Sequence, residues 1–227
     1  MLRFNLFGYP VRVHWMFWIL CIILGMGYLQ QRDRQGPISF LIVTAVVFGS
    51  ILWHELGHAW ARKRCGANYS EIELHGMGGL CGGPGYLTRK QSMFVSAMGP
   101  AASMLLGAVI FPLKFTPGMD WVMDPTNPGF AVRQNISFAV FVNHMIWVNI
   151  GWALLNLLPV MPLDGGQIFN AFMANKNPAL VPRVGMIVAG IVAILGLLAV
   201  QLWMAFIFGF LAYQNYRRMQ GTHSGFW

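Results

Sequence analysis

Residues 39–62 read SFLIVTAVVFGSILWHELGHAWAR. The stretch is apolar and free of acid and base until His54 and Glu55, and as a helix it is long enough to cross a hydrocarbon core, which takes about 20 residues. Residues four apart on a helix lie on one face, so His54 and His58 can share a metal ion, and neutral imidazoles suit Zn²⁺. Glu55, next to the first of these histidines, is placed to take a proton from an attacking water. An ionisable group at the centre of a span costs at least about 2.5–3.5 kcal/mol on insertion scales. Two histidines and a glutamate in a single turn of a span therefore call for a chemical reason.

The rest of the chain agrees with a membrane setting. Of its 227 residues 56% are apolar, 14% aromatic and only 10% charged, whereas soluble domains carry about 25% charged residues. The formal net charge of +8 reads as the excess of Lys and Arg that membrane proteins gather in cytoplasmic loops, and nucleic acid is excluded as a partner on that ground. Cys21, Cys65 and Cys81 have no paired spacing, so no disulfide is expected. The run Trp15–Leu29 follows Arg3 and Arg12 as a signal sequence would, but it is bulky, aromatic and lacks an A-x-A site, so it reads as a retained span.

Spans are expected at about His14–Leu29, Ser39–Arg62, Ser92–Leu113 and Ser137–Leu158. The last apolar run, Val184–Tyr213, is too long for one span and short for two. A break near Gln201 would give two helices, one reaching back to Pro182 and the other on to Met219. With six spans and both termini cytoplasmic, most of the basic residues, including Arg62, Lys63, Arg64, Arg217 and Arg218, fall inside, as the positive-inside rule requires. The expected fold class is an all-α polytopic membrane protein of about six transmembrane helices, with a short β-strand and glycine-rich segment between spans two and three.

That segment is Asn68–Gly85. Tyr69–His75 alternates, with Ile72 and Leu74 on one face and Glu71 and Glu73 on the other, which is a strand signal. Gly76, Gly78, Gly79, Gly82, Gly83 and Gly85 follow and let the backbone bend or approach a neighbour closely. Phe115–Asn135, with Pro117, Pro125, Pro128, Asp120 and Asp124, reads as an external loop.

A catalytic zinc site has three protein ligands and an open position. The candidate for the third is Asp164, the only acidic residue after Asp124, in Asn156-Leu-Leu-Pro159-Val-Met-Pro162-Leu-Asp164-Gly165-Gly166. Pro159 and Pro162 must interrupt the fourth span, and a broken helix within a membrane is tolerated where protein buries it or it lines a water cavity. The alternative role for Asp164 is the N-cap of a helix over Gln167–Met173.

His54-Glu55-x-x-His58 together with Asn156-x-x-Pro159-x-x-x-x-Asp164-Gly165 resembles the site-2 protease family of intramembrane zinc metalloproteases. Gly78-Gly79 resembles that family's glycine-rich strand region, and Gly99-Pro100 its G-P pair at the following span. The resemblance implies that His54, His58 and Asp164 bind Zn²⁺, that Glu55 activates water, and that Asn156 contacts substrate backbone or the developing oxyanion. It further implies a single membrane-embedded metalloprotease domain over residues 1–227. Its substrates would be membrane proteins cut in or near a transmembrane segment after partial unwinding. The strand Tyr69–Leu74 would pair with the extended substrate by strand addition. The implied setting is a multi-pass protein of a prokaryotic cell membrane, with the bilayer and a separate regulatory membrane protein as further partners.

The chain departs from the wider family in having no room for the PDZ or CBS domains many members carry, and in placing Ser103 where relatives often have Asn. His144 reads as a hydrogen-bonded histidine near the outer surface, His14 as a membrane-edge residue, His75 as a polar strand end, and His223 lies in the tail. Trp15, Trp18, Trp121, Trp147, Trp203 and Trp227 read as interface or lipid-facing. Two other functions fit the same ligands: a membrane metal transporter or sensor, which has no need of Glu55, and a pseudoprotease that binds membrane segments without cutting them.

Overall fold

A computed structural model describes residues 1–30, 34–116 and 132–221. Most of the external loop expected at Phe115–Asn135, together with Trp121, His223 and Trp227, lies outside the described residues. The chain forms two compact units: Met1–Gly85 with Ala101–Ala153, and Tyr86–Pro100 with Leu154–Trp227.

The first unit opens with a β-hairpin, β1 (Leu2–Leu6) and β2 (Tyr9–Val13). Phe7 and Gly8 make its two-residue turn with φ of 50° and 84°, the left-handed pair that matches strand twist. Two antiparallel-packed apolar helices follow, α1 (Trp15–Leu29) and α2 (Gln35–Arg64). Gly25 of α1 admits the ring of Phe40, and Phe17, Trp18 and Phe48 meet with ring centroids 5.7–5.9 Å apart. Then come β3 (Glu71–His75) and β4 (Gly78–Gly82). The four strands form one sheet in the order β1-β2-β3-β4, with β2 and β3 parallel and the other pairs antiparallel. Val11, Val13, Ile72 and Leu74 are buried on its inner face, while Arg12 pairs with Glu71 and Glu73 on the outer.

The sheet changes one expectation. The strand expected near Tyr69–Leu74 forms, but both its edges are taken, by β2 on one side and β4 on the other. It cannot receive an added strand. Among the described residues, the edge strands of the sheet are β1 and β4. The N-terminal hairpin was not expected, because its partner strand lies across the whole α1–α2 pair.

The unit is completed by the second half of α3 (Arg89–Ile110), a short 3₁₀ turn at Phe111–Phe115, α4 (Val132–Ile146) and a π-helical turn at Trp147–Gly151. Gly151 lies against the Trp147 ring, and a Cβ there would come within 2.4 Å of it. The wide turn carries Asn149 inward, where its amide donates to Ser50 Oγ of α2 and to the Met145 carbonyl, each at 2.8 Å. α5 (Trp152–Asn156) continues the same apolar run.

The second unit holds the first half of α3, capped by Thr88 and Gln91. The Thr88 N–H and hydroxyl both donate to Gln91 Oε1 at 2.9 Å, a capping box. After Asn156 the chain leaves helix, and α6 (Asp164–Met173), α7 (Leu180–Leu198) and α8 (Leu202–Met219) follow. The break expected near Gln201 is there: α7 ends at Leu198 and Gln201 caps α8. Small residues bring α7 and α8 together, with Gly196 against the Ala205 backbone. Ile187, Ile191, Ile194 and Leu198 form an exposed apolar stripe along α7, as a lipid-facing helix does. Among the described residues four helices are long and apolar enough to cross a membrane: Gln35–Arg64, Arg89–Phe115, Ile136–Asn156 and Leu180–Leu198. The apolar helix Trp15–Leu29 is shorter. The protein is an integral membrane protein, mostly helical, with a small sheet.

Candidate metal centre

α2 is unbroken through His54 and His58, so helical geometry alone fixes the two rings. Their Nε2 atoms lie 3.1 Å apart, with ring centroids at 4.8 Å and planes at 77°. Two nitrogens on a tetrahedral ion at about 2.0–2.1 Å would sit about 3.3 Å apart, so the pair fits one small cation. In the tautomer that leaves Nε2 of His54 free for a metal, its Nδ1–H donates to Ser103 Oγ at 3.2 Å. Ser103 thus orients the ring, the outer support a metal-bound histidine requires.

Glu55 is buried, with 4% of its surface exposed. Its carboxylate lies against Gly79 of β4, so closely that a Cβ at that position would fall 2.4 Å from Glu55 Cγ and Oε1. The missing side chain at Gly79 thereby makes room for the Glu55 carboxylate against β4, an edge strand of the sheet among the described residues. Gly79 and Cys81 share a face of β4. Burial first, and the Glu55 carboxylate second, push the Cys81 thiol up to about 12, with Arg62 opposing. Arg62, one turn beyond His58 and buried, ties the hairpin to α2: its Nε donates to Ser70 Oγ at 3.2 Å and its Nη2 to the Gly83 carbonyl at 2.8 Å. At the β3–β4 turn His75 accepts from the Met77 N–H, and burial, helped by His14 and opposed by Glu73, lowers its pKa.

Asp164 is reached differently. The helix ends at Asn156, which is half-buried, and seven residues follow without regular structure. Leu163, not Asp164, is the N-cap of α6, and Asp164 opens its first turn. Leu163 fills the N-cap position without a side-chain cap bond. Gly165 and Gly166 let α6 start hard against the incoming chain: a Cβ on Gly165 would meet the Leu157 carbonyl oxygen at 2.0 Å, and one on Gly166 the Val160 carbonyl at 2.5 Å. One ligand atom each from His54, His58 and Asp164 lies within 4.8 Å of the others, and all three residues are buried. Two imidazoles and a carboxylate are a donor set suited to zinc, and the three residues are positioned to bind a metal ion.

His144 Nδ1–H donates to the Val140 carbonyl, 2.8 Å away, and its ring stands edge-on to Tyr28, so it makes the local hydrogen bond expected of it. Ser103 was singled out in the sequence as a departure. Arg62 and Gly79 were not assigned roles, although Arg62 falls on the His54–His58 face by spacing.

Fold and donor set together define a class: a polytopic membrane protein with a metal centre of metalloprotease type. Residues 19–123 match the family described as Peptidase M50B-like, and residues 122–200 match Peptidase family M50. The chain is 23% identical over 205 residues to a zinc metalloprotease of Methanocaldococcus jannaschii, covering 88% of this chain and 54% of that protein. It is 29% identical over 229 residues to Rip3 of Mycobacterium tuberculosis, named as a candidate zinc metalloprotease, covering 90% and 54%. The chain spans about half the length of the curated relatives it matches. Its fold is that of the site-2 protease from Methanocaldococcus jannaschii, with a TM-score of 0.62 at 20% identity, covering 96% of this chain and 94% of the other. Together the two family matches run from residue 19 to residue 200, both to M50-type peptidases, and the fold similarity covers nearly the whole chain.

Proposed function

We propose that the chain is an intramembrane zinc endopeptidase that hydrolyses peptide bonds in or near transmembrane segments of membrane proteins. The observation that carries this reading is the seat of Glu55: a buried carboxylate between two metal-ligand histidines, pressed on the one strand of its hairpin with a free edge. A transporter has no use for a base in that place.

His54, His58 and Asp164 hold the zinc. When bound, zinc supplies a Lewis acid for water and for the scissile carbonyl. Glu55 takes the proton of the attacking water and returns it to the leaving amine, and no covalent intermediate is needed. A helical substrate satisfies its own carbonyls, so it must be opened first. The unwound segment adds to the outer edge of β4, whose N–H and C=O groups are unpaired on that side, and main-chain hydrogen bonds hold it beside Glu55. Asn156 contacts the substrate backbone or the developing oxyanion. The whole chain acts as one membrane-embedded domain of six spans with both termini cytoplasmic. Its setting is a prokaryotic cell membrane, and its partners are the bilayer, the substrate and a separate regulatory membrane protein.

Glu55→Gln tests the reading. It removes the base and keeps the shape, so zinc content should stay and cleavage of a co-expressed membrane substrate should fall by about 10²–10⁴-fold. Undiminished cleavage sinks the mechanism. Metal transport that survives in Glu55→Gln favours the transporter.

A further inference from the structure

α8 has no part in the chemistry proposed above, yet one of its residues is built toward the metal centre. Asn215 is wholly buried, at 0% exposure, near the C-terminal end of a helix that is apolar and aromatic from Leu202 to Tyr213. Its Nδ2 donates to the Leu211 carbonyl of its own helix and to the Met161 carbonyl, each at 2.8 Å. Both partners are acceptors, so the amide orientation is fixed: turned over, it would set its oxygen against two carbonyl oxygens.

Met161 stands three residues before Asp164, in the segment that leaves helix after Asn156. That segment contains Pro159 and Pro162, which donate nothing, and the backbone bonds its N–H groups make are short-range turns: Leu157 N to Leu154 O and Leu158 N to Leu155 O at 3.2 Å, Val160 N to Leu158 O at 2.7 Å and Leu163 N to Val160 O at 2.8 Å. Two of its exposed-by-breakage carbonyls are taken from outside the segment. Asn215 takes that of Met161, and Gln167 Nε2 takes that of Pro162 at 3.2 Å. Gln167 is held in turn by Ser96, whose hydroxyl donates to Oε1 at 3.5 Å. A helix fixes its side chains by its own ladder. This segment has lost that ladder, and its shape is set by side chains reaching in.

The seat of Asn215 is prepared on the far side too. Among the described residues its Oδ1 has no hydrogen-bond partner, and it faces Gly185 of α7, where a Cβ would lie 2.5 Å from Oδ1 and 2.9 Å from Cγ. A buried amide oxygen left unpaired costs free energy. Its retention, with a glycine cleared for it, makes sense if the donor half of the amide is what matters.

We propose that Asn215 is a positioning residue for the third metal ligand: by clamping the Met161 carbonyl it fixes the turn that delivers Asp164. This rests on the reading of Asp164 as a zinc ligand. It assigns α8 a task, and it makes Gly185 a partner of the metal centre without contact to it.

The test measures zinc affinity by chelator competition on the purified full chain in detergent, beside thermal unfolding of the metal-free protein. Asn215→Leu keeps the volume and removes the donor. It should weaken zinc binding by about 10–100-fold, the scale on which supports of metal ligands act, while the metal-free protein unfolds at an unchanged temperature. Gly185→Ala crowds the amide and should weaken zinc binding in the same direction by a smaller factor. If Asn215→Leu does not fold, Gly185→Ala decides alone. Unchanged zinc affinity overturns the proposal, and so does a fall in metal-free stability large enough to account for the loss. Asp164→Ala separates the two layers. If it leaves zinc affinity intact, the ligand reading has failed; if it abolishes high-affinity binding while Asn215→Leu and Gly185→Ala do not, only the positioning role has.

Discussion

Two regions supply the candidate ligands, and they do it by opposite means. α2 is one continuous helix of 30 residues, and His54, Glu55 and His58 project from it at positions dictated by its own hydrogen-bond ladder. The segment Asn156–Asp164 has given that ladder up. There the third ligand is held by glycines that allow backbone to touch backbone, and by amides borrowed from α6 and α8. The first region is precise because it is regular. The second must be irregular, since a lone carboxylate has to be turned toward imidazoles it does not share a helix with. The difference predicts where substitutions act: on α2, only the ligands and what touches them should matter, whereas around the broken segment residues remote from the metal should matter as well.

The largest effect is expected at the regular end. His58→Ala removes half of a ligand pair that no neighbouring residue can replace, so zinc content should fall to background and cleavage by at least about 10³-fold; metal analysis of the purified protein checks it, and a retained ion would mean that α2 is not the anchor. Next comes Gly79→Ala. Its Cβ would push on Glu55, and displacement of a reacting group by about 1 Å costs about 10²-fold, so kcat should drop while zinc stays bound. In the broken segment, Gly165→Ala drives a methyl into the Leu157 carbonyl. We expect about 1–3 kcal/mol of lost stability, read by thermal unfolding, together with weakened zinc binding; a fully stable, fully loaded variant would show the segment to be more pliant than its contacts suggest. The smallest effect is expected for Ser103→Ala, which leaves His54 in its helix and removes only the bond to Nδ1. Zinc affinity should weaken by about tenfold, at the low end for such supports.

The same contrast decides what could be read in the sequence. The pairing of His54 with His58 is local: spacing by four on a helix is enough. The break at Gln201 was also legible, because it follows from helix length against membrane thickness. Asp164 could be picked out by its motif and the prolines before it, but not its place in the helix, since Leu163 takes the cap. Asn215 gave no signal. A polar residue two positions before Arg217 reads as the wet end of a span, and its true partner is 54 residues away in sequence. The N-terminal hairpin was missed for a similar reason: Leu2–Val13 is short, and Arg3 and Arg12 read as a flank of the first span. Its alternation becomes meaningful only beside β3. That same omission put the free edge on the wrong strand.

The parallel pairing of β2 with β3 has a consequence for how the chain is made. Val13 meets Leu74, so the sheet cannot close until both intervening helices have left the ribosome. At about 5–20 residues per second, β2 waits some seconds for its partner. During that wait α1 and α2 are made with the hairpin unpaired on one side. Completion of the sheet then works as a latch on the newly inserted helical pair, and it is the event that brings Gly79 to Glu55. Until that latch closes, the nascent chain carries its histidines and its glutamate without the strand that packs on Glu55.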